Sequence, residues 1–206
     1  GLGDNVYSLD GFFDETPNGA HSEGFDQFEK VAVVASNIIK LSENENLSKI
    51  NSLINGGETQ FCEFKQTYSW DIKEKKKAEY LIESCLKTVV GFINAKGGSL
   101  IVGVSDTCEV TGLQEEIFKL DRNSSDKFLL RIKSNFEKKI GIKYQNFYDY
   151  EFLEFQPGVP VLLVTCIPGN SPCYLNGKDF YVRTNPATNK LEGPDLVDYC
   201  SERFNK

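Results

Sequence analysis

The stretch FINAKGGSLIVGVSD, Phe92 to Asp106, constrains the fold more than any other. Leading into it, apolar residues recur at Leu81, Ile82, Cys85, Val89, Phe92 and Ile93, a helical spacing with one apolar face. The paired glycines Gly97 and Gly98 then turn the chain. Leu100–Val104 follows as the kind of apolar run found in a buried strand. A helix with one apolar face that turns sharply into a buried strand predicts a packed α/β unit.

The flanking sequence extends that unit. Val110–Leu113 reads as a short hairpin partner. Ser124 and Ser125 stand where a helix cap belongs, ahead of an apolar face of Phe128, Leu129, Ile132, Phe136 and Ile140. Tyr150–Phe155 and Val159–Ile167 flank Gln156-Pro157-Gly158 and predict a hairpin. Asp179–Thr184 predicts a last strand, and Pro194–Phe204 a closing helix with an acidic first turn. Upstream, a strand is expected near 59–66, and a long helix over 73–95 whose first turns are Lys-rich. A short helix near 47–54 ends at Gly56-Gly57, and Phe25–Leu41 has helical spacing of its own. The Gly-, Asp- and Asn-rich residues 1–24 read as a flexible acidic arm, 25–46 as a helix with linker, and 47–206 as one domain. The expected class is α/β (α+β), a mixed sheet flanked by helices.

Composition narrows the chemistry. With 206 residues, 40% of them hydrophobic, the chain can fill a sizeable core. No apolar run approaches a bilayer span and no signal segment opens the chain, so a cytoplasmic, membrane-free protein is expected. Met is absent throughout, which suggests a fragment or a processed chain. The six cysteines form no C-x-x-C pair and are expected to be buried thiols. His21 is the only histidine, which weighs against a Ser-His-acid triad, a Cys-His pair or a two-histidine ribonuclease site. The net charge of −7 argues against a nucleic-acid partner until its distribution is considered. Residues 1–24 hold five acids and no Lys or Arg, leaving −2 for the rest, within which lies KEKKK at 73–77.

Two acids, one just before the strand-like run near 59–66 and one within it, then stand out. Glu58 and Glu63 are five positions apart, and Lys65 lies two past Glu63, on the same side of a strand. With Asp106 at the end of the buried strand, they suit Mg²⁺ or Mn²⁺ and a phosphodiester. From spacing alone a satisfied surface or structural role for these acids is the favoured reading. The KEKKK lysines read as a solvated helix face or a phosphate patch, Arg183 as a phosphate contact or an ion-pair partner, and Tyr68 and Trp70 as core or base-stacking residues. Gly97-Gly98 reads as a turn, or as amides lying against a phosphate.

Taken in order, E-x4-EFK, FINAKGGSLIVGVSD, VTGL and FYVRT resemble the Schlafen-type (AlbA-like) domain family from about Glu58 to Phe204. The resemblance implies a single lobe of that fold. It implies a metal-dependent endoribonuclease acting on structured RNA such as tRNA, with Glu58, Glu63 and Asp106 as metal ligands and Lys65 at the scissile phosphate. Lys75, Lys76, Lys77 and Arg183 would hold the backbone, and the setting would be an anti-phage or toxin-like effector. Other members of the family are non-catalytic nucleic-acid-binding or regulatory modules, and an interaction domain acting through residues 1–42, toward a partner or sensor, is a further alternative. Two departures stand out. Asn185 replaces the usual glycine after YVRT, at a turn that Asn tolerates if φ is positive. A single lobe in place of a fused pair implies a homodimer.

Overall fold

In the computed structural model, which describes residues 20–204, a mixed four-stranded sheet carries the main core. Its strands are β1 (Cys62–Lys65), β4 (Gly98–Val102), β5 (Tyr148–Gln156) and β6 (Val159–Cys166), ordered β1-β4-β6-β5. The pair β1–β4 is parallel, with Glu63 opposite Leu100, and the other two pairs are antiparallel. A hairpin of β2 (Trp70–Asp71) and β3 (Lys76–Lys77) stands apart. A second sheet is formed by β7 (Tyr174–Leu175), β8 (Asp179–Arg183) and β9 (Thr188–Leu191). The helices are α1 (Ala20–Gly56), α2 (Glu79–Asn94), α3 (Gln114–Leu120), α4 (Ser125–Lys139) and α5 (Gly193–Phe204), with a 3-10 turn at Ile142–Phe147. The fold is α+β with a mixed sheet. Among the described residues no helix is long and apolar enough to cross a membrane.

Alternation along β4 sorts the core into two layers. Leu100 and Val102 face a cluster with Leu86, Val89 and Phe92 of α2, and Phe128, Ile132 and Phe136 of α4. Ile101 faces the other way, with Phe64, Val161, Leu163 and Ile50. The strand is thus buried on both faces, as its uninterrupted apolar run predicts. The bend that feeds it needs glycine. Gly97 has φ +79 and donates its N–H to Phe92 O, closing α2. A Cβ on Gly97 would sit 2.5 Å from the Cys166 carbonyl oxygen, and one on Gly98 would sit 2.5 Å from the Phe92 ring. These glycines make a packed turn.

Several sequence expectations need correction. The two helices expected over 25–41 and 47–54 are one element, α1. The polar stretch SENEN between them contains no Gly or Pro, so nothing stops the helix. The chain divides into two units, up to Glu45 and from Asn46 onward, and α1 contributes to both. Residues 1–19, most of the expected acidic arm, lie outside the described residues. The Lys-rich segment is not the start of α2: residues 70–77 form the β2–β3 hairpin, and α2 begins at Glu79. The turn after β8 is made without positive φ at Asn185. Thr184 N donates to Ala187 O at 2.8 Å, and the Asn185–Pro186 bond is cis. Four of the six cysteines, Cys62, Cys85, Cys166 and Cys173, are buried free thiols. Burial pushes Cys62 and Cys85 up to about 12, Cys62 with help from the Glu58 charge, so both stay protonated.

Candidate nucleic-acid interface

Among the described residues β1 pairs only with β4, and its other edge has no strand partner. Side chains supply what is missing. Gly57, at φ +67, ends α1 and swings Glu58 toward the strand, where its Oε1 accepts the Phe64 N–H at 2.9 Å. Lys65 Nζ donates to Phe64 O at 2.9 Å, and Arg183 Nη2 reaches across from β8 to Cys62 O at 3.1 Å and Thr59 O at 2.6 Å. Glu63 joins the two cations: one oxygen takes Lys65 Nζ, and the other takes Arg183 Nη1 at 2.6 Å.

Arg183 therefore corrects the expectation of a phosphate contact. Its side chain is only 1% exposed, and its guanidinium lies 5.3 Å from the Phe92 ring centre. Of the two sequence readings, the ion pair is the one the structure holds. Tyr68 and Trp70 are likewise core residues.

The three proposed metal ligands do not assemble. Asp106 is exposed, in a turn shaped by its neighbours: Cys108 N donates to Ser105 O at 2.9 Å, and Ser105 Oγ lies 2.8 Å from Thr107 Oγ1. Among the described residues no three His, Cys, Asp or Glu side chains gather as ligands of one ion. Both Glu63 oxygens are already engaged by cations, and one Glu58 oxygen by a backbone amide. In this arrangement the residues do not fit a Mg²⁺ or Mn²⁺ ion, whose shell needs carboxylate oxygens open to it.

The β2–β3 hairpin is the opposite case. Asp71 builds its turn: Oδ1 accepts the N–H groups of Lys73 and Glu74, both at 2.9 Å, and Oδ2 accepts the Tyr80 hydroxyl at 2.7 Å. These donors hold the Asp71 carboxyl below its ordinary value, the Glu74 amide most of all. Lys75 takes the left-handed conformation at φ 51. Lys73, Lys75, Lys76 and Lys77 are all exposed, and only Lys76 has an ion-pair partner among the described residues, Glu74 at 3.6 Å.

The hairpin's base is fastened by a network with no counterpart in the sequence reading. Ser69 O accepts the Ala78 N–H at 2.8 Å, tying the two stems together. The buried Glu116 of α3 accepts from Tyr68 N at 2.9 Å, Ser69 N at 3.1 Å and Ser69 Oγ at 2.7 Å. Arg131 of α4 donates to Glu116 at 3.0 Å, to both Asp121 oxygens at 2.9 and 2.6 Å, and to Ser69 Oγ. Glu116 lies 47 residues from Ser69 along the chain, so no local spacing announces the link. Asn94 in FINAKGG also has a structural task. It donates to Cys173 O and Tyr181 O and accepts from Cys173 N, all at 2.8 Å, locking α2 to the residue before β7 and to β8.

A family model for the Schlafen AlbA_2 domain matches residues 58–192. No curated protein matches the chain. Among solved structures, the crystal structure of the DIP2311 protein from Corynebacterium diphtheriae is similar at 16% identity and a TM-score of 0.44. The match covers 70% of this chain and 28% of that one, so the chain spans less than a third of that protein's length. The chain belongs to the Schlafen AlbA_2 family. Membership supports a nucleic-acid-related function and is compatible with nuclease activity.

Proposed function

We propose that this member of the Schlafen AlbA_2 family is a nucleic-acid-binding module that grips a phosphate backbone with the β2–β3 hairpin. The observation that carries this reading is a rigidly held hairpin presenting Lys73, Lys75 and Lys77 to solvent with no carboxylate partner among the described residues. Cations fixed in place but unneutralised suit a polyanion, and releasing its counterions drives binding. Structured RNA such as tRNA is the first probe to use.

A metal-dependent endoribonuclease using Mg²⁺ or Mn²⁺ is the second reading. What favours it is the placement of Glu58 and Glu63 on one strand edge beside Lys65. It requires Glu63 to release its two cations and Asp106 to join the pair.

Fluorescence anisotropy with a labelled tRNA, run from about 50 to 200 mM salt, tests the first reading. Binding should weaken linearly on logarithmic axes. The triple change Lys73→Ala, Lys75→Ala, Lys77→Ala should reduce the slope by about 2 to 3, since each phosphate that a lysine neutralises on a duplex adds about 0.9. Affinity and slope unaltered by the triple change would overturn the hairpin assignment. The same samples with added Mn²⁺ or Mg²⁺, analysed on a denaturing gel, address the second reading. Cleavage that disappears in Glu63→Gln would establish the nuclease over the passive module.

A further inference from the structure

Among the described residues, three lysines of the β2–β3 hairpin, Lys73, Lys75 and Lys77, have no carboxylate partner. Upstream, the chain carries an acidic segment without a single Lys or Arg: residues 1–19 hold Asp4, Asp10, Asp14 and Glu15. We propose that this segment docks on the hairpin and competes there with nucleic acid. The docking itself needs no ligand; its regulatory consequence rests on the nucleic-acid reading above.

Charge selects the hairpin. Residues 71–77 carry four lysines against Asp71 and Glu74, an excess of two positive charges even when both acids count in full. Neither acid is spare. Asp71 accepts two turn amides and the Tyr80 hydroxyl, and Glu74 meets Lys76 at 3.6 Å. Glu79, just past the hairpin, is held at 2.8 Å by Lys139, which also reaches Glu83 at 3.4 Å. Four acids with no cation among them complement this excess. The apolar chemistry matches as well. The acids enclose Phe12 and Phe13 in the run Asp10-Gly11-Phe12-Phe13-Asp14-Glu15. The hairpin offers Ile72, 43% exposed, next to lysines whose ammonium groups attract aromatic faces.

Chain length permits the contact. From Ala20 to Asn46, where the second unit begins, α1 is roughly 39 Å long at 1.5 Å per residue. Residues 1–19, fully extended, reach roughly 65 Å. The difference of about 26 Å exceeds the radius of gyration of about 15 Å expected for a domain of this size. Tethering also sets an effective concentration of roughly millimolar, so that individually weak surface ion pairs suffice to occupy the hairpin for much of the time.

The test neutralises the segment within the full chain, by Asp4→Asn, Asp10→Asn, Asp14→Asn and Glu15→Gln together. Without nucleic acid, at about 50 mM salt, lysine acetylation is read by mass spectrometry. It should rise roughly 2- to 5-fold at Lys73, Lys75 and Lys77 and stay level at the exposed Lys138 and Lys178. With labelled tRNA, the neutralised chain should bind roughly 2- to 10-fold tighter at 50 mM salt, and the gain should shrink at about 200 mM. In the background of the hairpin triple variant the gain should disappear, because the segment then has no hairpin charge to cover. Circular dichroism establishes that each variant is folded. Unchanged acetylation at the three lysines overturns the docking. Raised acetylation with unchanged tRNA affinity overturns the competition. A gain that persists in the triple variant means that the acids repel the polyanion from a distance, and overturns the proposal too. Raised acetylation with no probe bound by either chain upholds the docking and overturns the nucleic-acid reading.

Discussion

Two charged regions of this domain, one at residues 58–65 joined by Arg183 of β8 and one on the hairpin at 70–77, use their charges in opposite ways. At the β1 edge, Glu58, Glu63, Lys65 and Arg183 are turned inward on backbone groups and on each other. On the β2–β3 hairpin, Asp71 completes the turn, and among the described residues only Lys76 of the lysines has an ion-pair partner. A charged group already satisfied by its own chain has little to offer a ligand, because a new bond must first break an old one. Motif position alone does not separate these cases; the hydrogen-bond partners do.

The comparison can be broken most sharply at Arg183. Replacement by Ala removes one of the two cations on Glu63 and the donors to Thr59 and Cys62, and should cost about 3 to 5 kcal/mol, read by urea denaturation. A stable Arg183→Ala variant that had lost RNA binding would move Arg183 back to the ligand. Glu58→Ala leaves the Phe64 N–H without its acceptor and should cost about 1 kcal/mol, with RNA affinity intact. Normal stability with loss of a metal-dependent cleavage would instead make Glu58 a ligand. The hairpin triple variant should shift stability by less than about 0.5 kcal/mol, since its lysines are solvated, while weakening RNA binding. A large drop in stability would show that the lysines are structural after all.

The smallest effect is a local one with pH. Asp71 has its folded pKa lowered by the amide of Glu74, the Tyr80 hydroxyl and the amide of Lys73. Its contribution is fully present above the unfolded value of about 3.9 and is lost as pH falls through the lower folded value. Amide exchange at Lys73 and Glu74 should therefore stay protected at about pH 5 and lose protection in that acid range. In Asp71→Asn, whose side chain does not titrate, the pH step should vanish.

The parts of the fold legible in the sequence are those decided locally. The Gly97-Gly98 bend, the Ser124 cap, which accepts the Lys127 N–H, and the Gln156-Pro157-Gly158 hairpin each depend on a few adjacent residues. The β2–β3 hairpin escaped because Lys and Glu favour a helix, and each of its strands is two residues long. What overrides propensity there is tertiary: buried Trp70 at one end and the Ser69–Glu116 tie at its base. For the candidate site, the sequence marked a neighbourhood, and partners of its side chains come from elsewhere in the chain. Glu58, Glu63 and Lys65 do cluster at one strand edge, yet the burial of Arg183 depends on β8 packing across α2 and β1, which no residue near position 183 encodes. β7, β9 and α3, with two, four and seven residues, are too short for periodicity to reveal.

The capping of β1 also bears on assembly. A strand edge whose carbonyls and amides already have partners presents no template for β-augmentation, so the main sheet is closed at that side to a strand from another polypeptide. A second copy of the chain, or any protein that associates with this one, must then dock through side chains rather than by extending the sheet at β1. Glu58→Ala would reopen one rung of that ladder, and self-association at high concentration would be its signature.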